Sequence, residues 1–210
     1  MFIPRSWLAA GLTLALVSPW IAPELQAAPN DAKSFVAGVG ERAIRELTSK
    51  NISDAERVSR MRALLAAAFD VKAISKFVLG IYWRRTTEDQ RAEFLKLYKT
   101  VVSHSYAGLF KKYSGETFEV IRQVPVAGGG SIVYGRIKRM NGPPVAIELQ
   151  VVKDSDTYKA VDIKIEGISM PLTHRKEYSS VIRRNRGSVA GLLKVLRKKA
   201  SILEASISKQ

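Results

Sequence analysis

The chain holds two histidines, His104 and His174, and no cysteine among its 210 residues, and that shortage bounds its chemistry. A thiolate metal site and a disulfide framework are both excluded. Neither histidine stands beside a carboxylate cluster or in an H-E-x-x-H spacing, so no metal-hydrolase centre can be written. His104 falls inside a stretch that reads as one long helix, where a packed or solvated ring is the ordinary role. Serines are common, yet none sits in the G-x-S-x-G elbow that lifts a nucleophile clear of a sheet. Gly128-Gly129-Gly130 matches a phosphate loop only in glycine content: no Lys-Ser/Thr follows and its flanks read as strands, which predicts a hairpin turn. Asp162 shares a short polar strand face with Lys164, which predicts an ion pair in preference to an acid catalyst. No convergent acid, base and nucleophile emerge, so the inventory predicts a protein that is not an enzyme and has no metal or cofactor.

What the sequence holds in surplus is apolar surface, and the elements that carry it follow from periodicity. Asn30 or Asp31 can cap a first helix running to about Thr48, with Phe35, Val39, Ile44 and Leu47 at helical intervals. Ser53-Asp54-Ala55-Glu56 fits a capping box ahead of Val58, Met61, Leu64 and Leu65. Residues 69–80 read as a short helix capped by Asp70 and closed by Gly80. Thr87 with Gln90 opens the longest helix, which helix formers extend to Tyr113. Its apolar face comprises Phe94, Leu97, Tyr98, Val101, Val102, Tyr106, Leu109 and Phe110.

After Ser114-Gly115 the period changes from helical to alternating. Residues 118–126, 132–139, 145–153 and 158–166 are four β-rich runs separated by turn chemistry, which predicts an antiparallel meander. Val145, Ile147, Leu149 and Val151 oppose Glu148 and Gln150, while Val161, Ile163 and Ile165 oppose Asp162 and Lys164, so one face is apolar and the other wet. From about His174 the helical period returns, breaks at Gly187-Ser188, and resumes with Val189, Leu192, Leu193 and Leu196. The order predicts an α+β fold: a four-stranded antiparallel sheet packed against several helices. Two fillings of its interior are open at this level: a solid core, or an apolar hollow between sheet and helices sized for acyl chains.

Residues 1–28 read as a targeting segment. Arg5 gives a thin positive start, residues 7–17 an apolar run, and Leu25-Gln26-Ala27 a small-residue cleavage signal. Pro19 and Pro23 interrupt the run, and it is shorter than the ~20 residues that span a bilayer, so a cleaved signal is preferred to an anchor. Residues 29–210 then form a single domain, helical over 29–115, sheet over 116–168, with C-terminal helices over 173–205. The formal charge of +15 survives processing because Arg5 and Glu24 cancel. Such an excess attracts polyanions; for an exported chain these are anionic membrane surfaces or acidic proteins and not nucleic acid, with a merely solvated basic surface as the plain alternative.

Particular residues carry a family likeness. At Phe69-Asp70-Val71, at Val78-Leu79-Gly80-Ile81-Tyr82-Trp83, at Thr87 with Gln90, at Phe94 and at Tyr106 with Leu109, the chain resembles the MlaC family of periplasmic phospholipid carriers, also described as toluene-tolerance proteins. Val161-Asp162-Ile163-Lys164-Ile165-Glu166-Gly167-Ile168-Ser169-Met170, followed by Arg175 and Tyr178, is similar to that family's late strand and its exit. Tyr158 stands where the family usually has tryptophan, and Thr173-His174-Arg175 replaces its usual Asn-Tyr-Arg. Hopanoid-associated auxiliary proteins of ABC transporters share the pattern, so the resemblance implies a carrier of phospholipid or of a polycyclic lipid. It further implies a soluble periplasmic shuttle between an outer-membrane lipoprotein complex and an inner-membrane ABC transporter bearing an MCE-domain protein, for which a monomer is the simpler expectation. The rivals are a small exported enzyme with a hidden site, for which no convergent acid, base or nucleophile set is found, and a protein-binding adaptor with a solid core.

On this reading the lipid-lining candidates are Val71, Ile74, Val78, Val101, Tyr106, Leu109 and Phe110 from the helices and Ile147, Leu149, Val151, Ile163 and Ile165 from the sheet. The docking candidates are Arg183, Arg184, Arg186, Lys194, Arg197, Lys198 and Lys199, with solvation as their plain alternative.

Overall fold

The computed structural model describes residues 31–113 and 115–207; the targeting segment read over residues 1–28 lies outside them. Six helices and one antiparallel sheet make an α+β fold. The first helix, α1 (Ala32–Leu47), starts where the Asp31 carboxylate accepts from the Ser34 amide at 2.7 Å. Helix α2 (Asp54–Ala68) starts at Ser53, whose hydroxyl accepts from the Glu56 amide. Only that half of the expected capping box forms, because Glu56 turns to the Arg60 guanidinium at 2.8 Å one helical turn away. Buried Arg57 ties the two helices together: its guanidinium donates to the carbonyl of Leu47, an orphan acceptor at the end of α1, and to that of Ser49 just beyond the cap.

Helix α3 (Val71–Leu79) is capped by Asp70, which accepts from the Ala73 amide at 2.8 Å, and ends at Gly80, whose positive φ of 54° disfavours a side chain. A 3-10 segment, Gly80–Arg85, leads to α4 (Glu88–Ala107), which opens with the full Thr87–Gln90 capping box. The helical path continues towards Tyr113 as expected, but from Gly108 it tightens into a 3-10 turn, Gly108–Lys112. Helix α5 (Met170–Arg184) begins four residues before His174, at the Ser169 cap, with Pro171 in its first turn; α6 (Val189–Ile207) follows the Gly187 break.

The sheet is a meander in the order β1 (Thr117–Val126), β2 (Gly130–Lys138), β3 (Val145–Asp154), β4 (Thr157–Ile165) and β5 (Ile168–Ser169). It has five strands, not four. The fifth has two residues, too short to show a period, and exists because the Glu166–Gly167 turn folds the chain back onto β4. The glycine triplet is a turn as read, with Gly128 and Gly129 both at positive φ.

Register decides which side chains face the helices. Val133 pairs with Leu149 and Leu149 with Ile163, while Ile147 pairs with Gly135 and Ile165, giving one continuous apolar face. The reverse face is wet: Glu148 pairs with Lys164 at 3.1 Å, raising the Lys164 pKa chiefly through that hydrogen bond, and Glu119 bridges Arg136 and Lys138. The Asp162–Lys164 ion pair does not form as the dominant contact, since Glu148 lies directly across from Lys164 and Asp162 instead accepts from the Ser169 hydroxyl at 2.9 Å. A bulge in β4 also corrects the inward set: Gln150 pairs with Asp162 but Val151 with Ala160, so Ala160 is the fully buried residue and Val161 is the extra one. Ala160 also receives the Asp70 amide on its carbonyl at 3.0 Å, which pins the α2–α3 junction to the sheet.

Three buried clusters result. One joins α3, α4, α5 and α6; one joins α1 to the sheet; the third joins α1, α2 and the end of α4. Phe118 is the wedge between α1 and the sheet: a Cβ at Gly40 would stand 2.0 Å from its ring, and one at Gly135 2.7 Å from it. Two glycines on facing elements thus make room for one ring.

Candidate binding cavity

The three clusters do not merge into one filled core. Where they meet, an apolar cavity of about 280 Å³ remains, close to the lower end of the range of small-molecule pockets. Its floor is the apolar sheet face, supplied by Phe118, Ile137, Val145, Ile147, Leu149, Ile163 and Ile165; its helical walls come from α1, α2, α3, α4 and the 3-10 turn after α4, and Met170, Pro171 and His174 at the start of α5 complete the lining. Lys99 and Leu109, both exposed, belong to the same wall and mark where it meets water.

Nine of the twelve lining residues expected from sequence are on this wall: Val71, Ile74, Tyr106, Leu109, Phe110, Ile147, Leu149, Ile163 and Ile165. Three are not. Val78 and Val101 face away from the hollow into the filled cluster of α3, α4, α5 and α6, and Val151 is fully buried in the cluster that joins α1 to the sheet. For Val101 the reason is rotation: on α4 its neighbour Val102 takes the cavity side, about 100° round the helix.

Sequence reasoning missed a further share of the wall. Val36, Val39, Ala43 and Ile44 of α1 and Met61, Leu64 and Leu65 of α2 line it, and their spacing of three, four and seven residues was available as a signal. Their alignment with the sheet was not. The larger omission is polar. His174 lies on the wall with its Nδ1 2.9 Å from the Tyr98 hydroxyl and its Nε2 3.2 Å from the Tyr106 hydroxyl, and its ring stacks on Tyr178 at 5.9 Å. Burial depresses the His174 pKa, opposed by Glu177 and reinforced by Lys199. Burial raises the pKa of Tyr98, Tyr106 and Tyr178, so all four groups stand neutral near pH 7. Among the described residues no cluster of His, Cys, Asp and Glu could hold a metal ion, and no helix is long and apolar enough to cross a membrane.

The seven docking candidates are exposed along α5, the following turn and α6. Arg197 is engaged within the chain, its Nη2 donating to Glu93 at 3.0 Å, a contact that lowers the Glu93 pKa; Arg184 donates to the Ser180 hydroxyl.

A sequence model described as MlaC protein matches residues 38–198. No curated protein matches the chain. Among solved structures, a phospholipid-binding protein from Ralstonia solanacearum, in complex with a phospholipid, superposes with a TM-score of 0.73 at 22% identity, over 83% of this chain and 99% of that one. At that identity the likeness speaks for the fold.

Proposed function

From the premise that the chain belongs to the MlaC family, we propose that it is a periplasmic carrier that holds phospholipid acyl chains in this cavity and leaves the headgroup in water. The observation that carries the reading is the hollow itself: a space walled by sheet and helices, nearly all carbon, at the junction of three otherwise filled clusters. Hydrocarbon is the matching occupant, because each methylene moved from water into such a wall contributes about 0.8 kcal/mol. A few turns of chain therefore hold a lipid without a covalent bond. Lys99, exposed at the wall's edge, is suited to face a headgroup phosphate.

On this proposal residues 1–28 are a cleaved export signal, and residues 29–210 are one lipid-binding domain acting as a monomer. The exposed basic residues of α5 and α6 serve transient contact with anionic membranes and with the acidic faces of two partners, an outer-membrane lipoprotein complex and an inner-membrane ABC transporter with its MCE-domain protein. The transfer is physical and needs no catalytic group. Release follows docking, because a partner that binds the widened state better than the closed one shifts the equilibrium towards opening.

Native mass spectrometry of the exported protein, purified without detergent, tests the reading. Stoichiometric phospholipid is expected. Repeated preparations that carry no lipid would overturn it in favour of a protein-binding adaptor, and preparations that carry only a polycyclic lipid would replace phospholipid with a hopanoid-type cargo.

A further inference from the structure

Besides Tyr113 and exposed Lys99, the cavity wall carries a cluster of polar side-chain atoms at the seam between α4 and the first turns of α5. There Tyr98, Tyr106, Met170 and His174, all on the wall, bring together two hydroxyls, a thioether and an imidazole. The hydrogen-bond roles can be assigned. The Tyr106 hydroxyl donates to Met170 Sδ at 3.4 Å, so its oxygen accepts from the His174 Nε2–H. Nδ1 then keeps its lone pair and accepts from the buried Tyr98 hydroxyl. The opposite tautomer would deprive the Tyr98 proton of the one acceptor it has among the described residues, a costly arrangement for a buried hydroxyl.

This assignment leaves one donor poorly used. A thioether is a weak acceptor, and Tyr106 is half-buried, between the interior position of Tyr98 and the exposed Leu109 one turn further on. Half-buried and one turn from the exposed edge of the wall, it is at a depth where, on the carrier reading, the first polar atoms above a hydrocarbon tail would lie. The strongest neutral acceptor that a membrane lipid presents at that depth is the carbonyl oxygen of an acyl ester. We propose that the Tyr106 hydroxyl, held by His174, leaves Met170 and donates to an acyl-ester carbonyl, so that the cavity selects ester-linked diacyl lipids over ether-linked lipids of the same size.

The proposal rests on the carrier reading and sharpens it to a class of cargo. The test is displacement of a fluorescent phospholipid from the delipidated protein by diacyl phosphatidylglycerol and by its dialkyl ether analogue with matched chains. One neutral hydrogen bond predicts about a fivefold preference for the ester. In Tyr106→Phe, which removes a single oxygen, the two competitors should come within a factor of about 1.5 of each other. His174 is a positioning residue, and His174→Leu should lower the ester-to-ether ratio because the hydroxyl is then free to turn. Equal affinities in the unsubstituted protein, or a ratio that neither substitution changes, would overturn the inference and leave the carrier reading intact. Failure of both lipids to bind at all would remove the phospholipid-carrier reading and the inference together.

Discussion

Helix α4 belongs to two regions built from the same residue types, one filled and one hollow. On one side Phe94, Tyr98 and Val101 interlock with α3, α5 and α6: Phe94 stacks on Tyr98 at 5.7 Å and meets Tyr178 edge-on at 6.0 Å, and Leu192, Leu193 and Leu196 close the space. On the other side Val102, Tyr106 and the following Leu109 look across about 280 Å³ of empty space to the sheet. Composition does not separate the two. The filled region has an element on every side of its side chains, whereas the hollow one has α1 held against the edge of the sheet by the Phe118 wedge and α4 held by its packing on α6. Neither helix is left free to collapse inward. A container needs fixed walls, and here the filled region is what fixes them.

Truncation in the filled region should have the largest effect. Phe94 is fully buried among aromatic rings, so Phe94→Ala is expected to cost about 3–5 kcal/mol, read as a lowered urea midpoint at unchanged slope. Ile163→Ala, which enlarges an existing void instead of opening one, should cost less, about 1–2 kcal/mol, while weakening lipid retention. Similar losses at the two sites would break the contrast.

Adding volume gives a sharper and somewhat smaller effect, because two adjacent residues face the two regions. Val101 is nearly fully buried in the filled cluster, and Val101→Phe should overpack it at about 1–3 kcal/mol. Val102→Phe places the same atoms in the hollow, where the stability change should stay below about 1 kcal/mol. Its effect should instead be on lipid co-purifying with the protein, which falls as the ring occupies chain space. A stability loss at Val102 matching that at Val101 would mean that the cavity wall is as tightly packed as the core.

The same contrast explains how much was legible in the sequence. Caps at Asp31, Ser53, Asp70 and Thr87 and the alternation in β3 are local, and each stands where it was expected. The fifth strand and the inward turn of Ala160 were not legible, because two residues make no period and a bulge shifts register without changing composition. At the cavity, sequence could say that residues were apolar but not whether a neighbour would arrive to cover them: Val101 and Val102 differ only by a rotation that the position of α6 makes decisive. His174 was least legible of all. Its hydroxyl partners lie 68 and 76 residues away, and nothing near His174 in the chain marks it as the polar group of an apolar wall.

The smallest effect expected is one of pH, and it separates the hollow region from the filled one by charge instead of volume. His174 is held below its ordinary pKa in the folded state, chiefly by burial, with Glu177 pulling it up and Lys199 pushing it down, and with the Tyr98 and Tyr106 hydroxyls facing its two nitrogens. Above about pH 6.5, the ordinary histidine value, folded and unfolded chains are both neutral at this ring, and it adds no pH dependence. As the pH falls through that value the unfolded chain takes up the proton first, so the folded state loses stability. The lowered carboxylates, Asp31, Glu93 and Glu119, act in the same direction but only nearer their own ordinary values, about 4 to 4.5. Urea midpoints between pH 7.5 and 5.5 should therefore decline in the unsubstituted protein and decline less in His174→Gln, whose amide can keep a donor and an acceptor between the two tyrosines. Equal slopes in the two proteins would mean that water reaches the ring freely and that burial in the wall at α5 does not hold its pKa down.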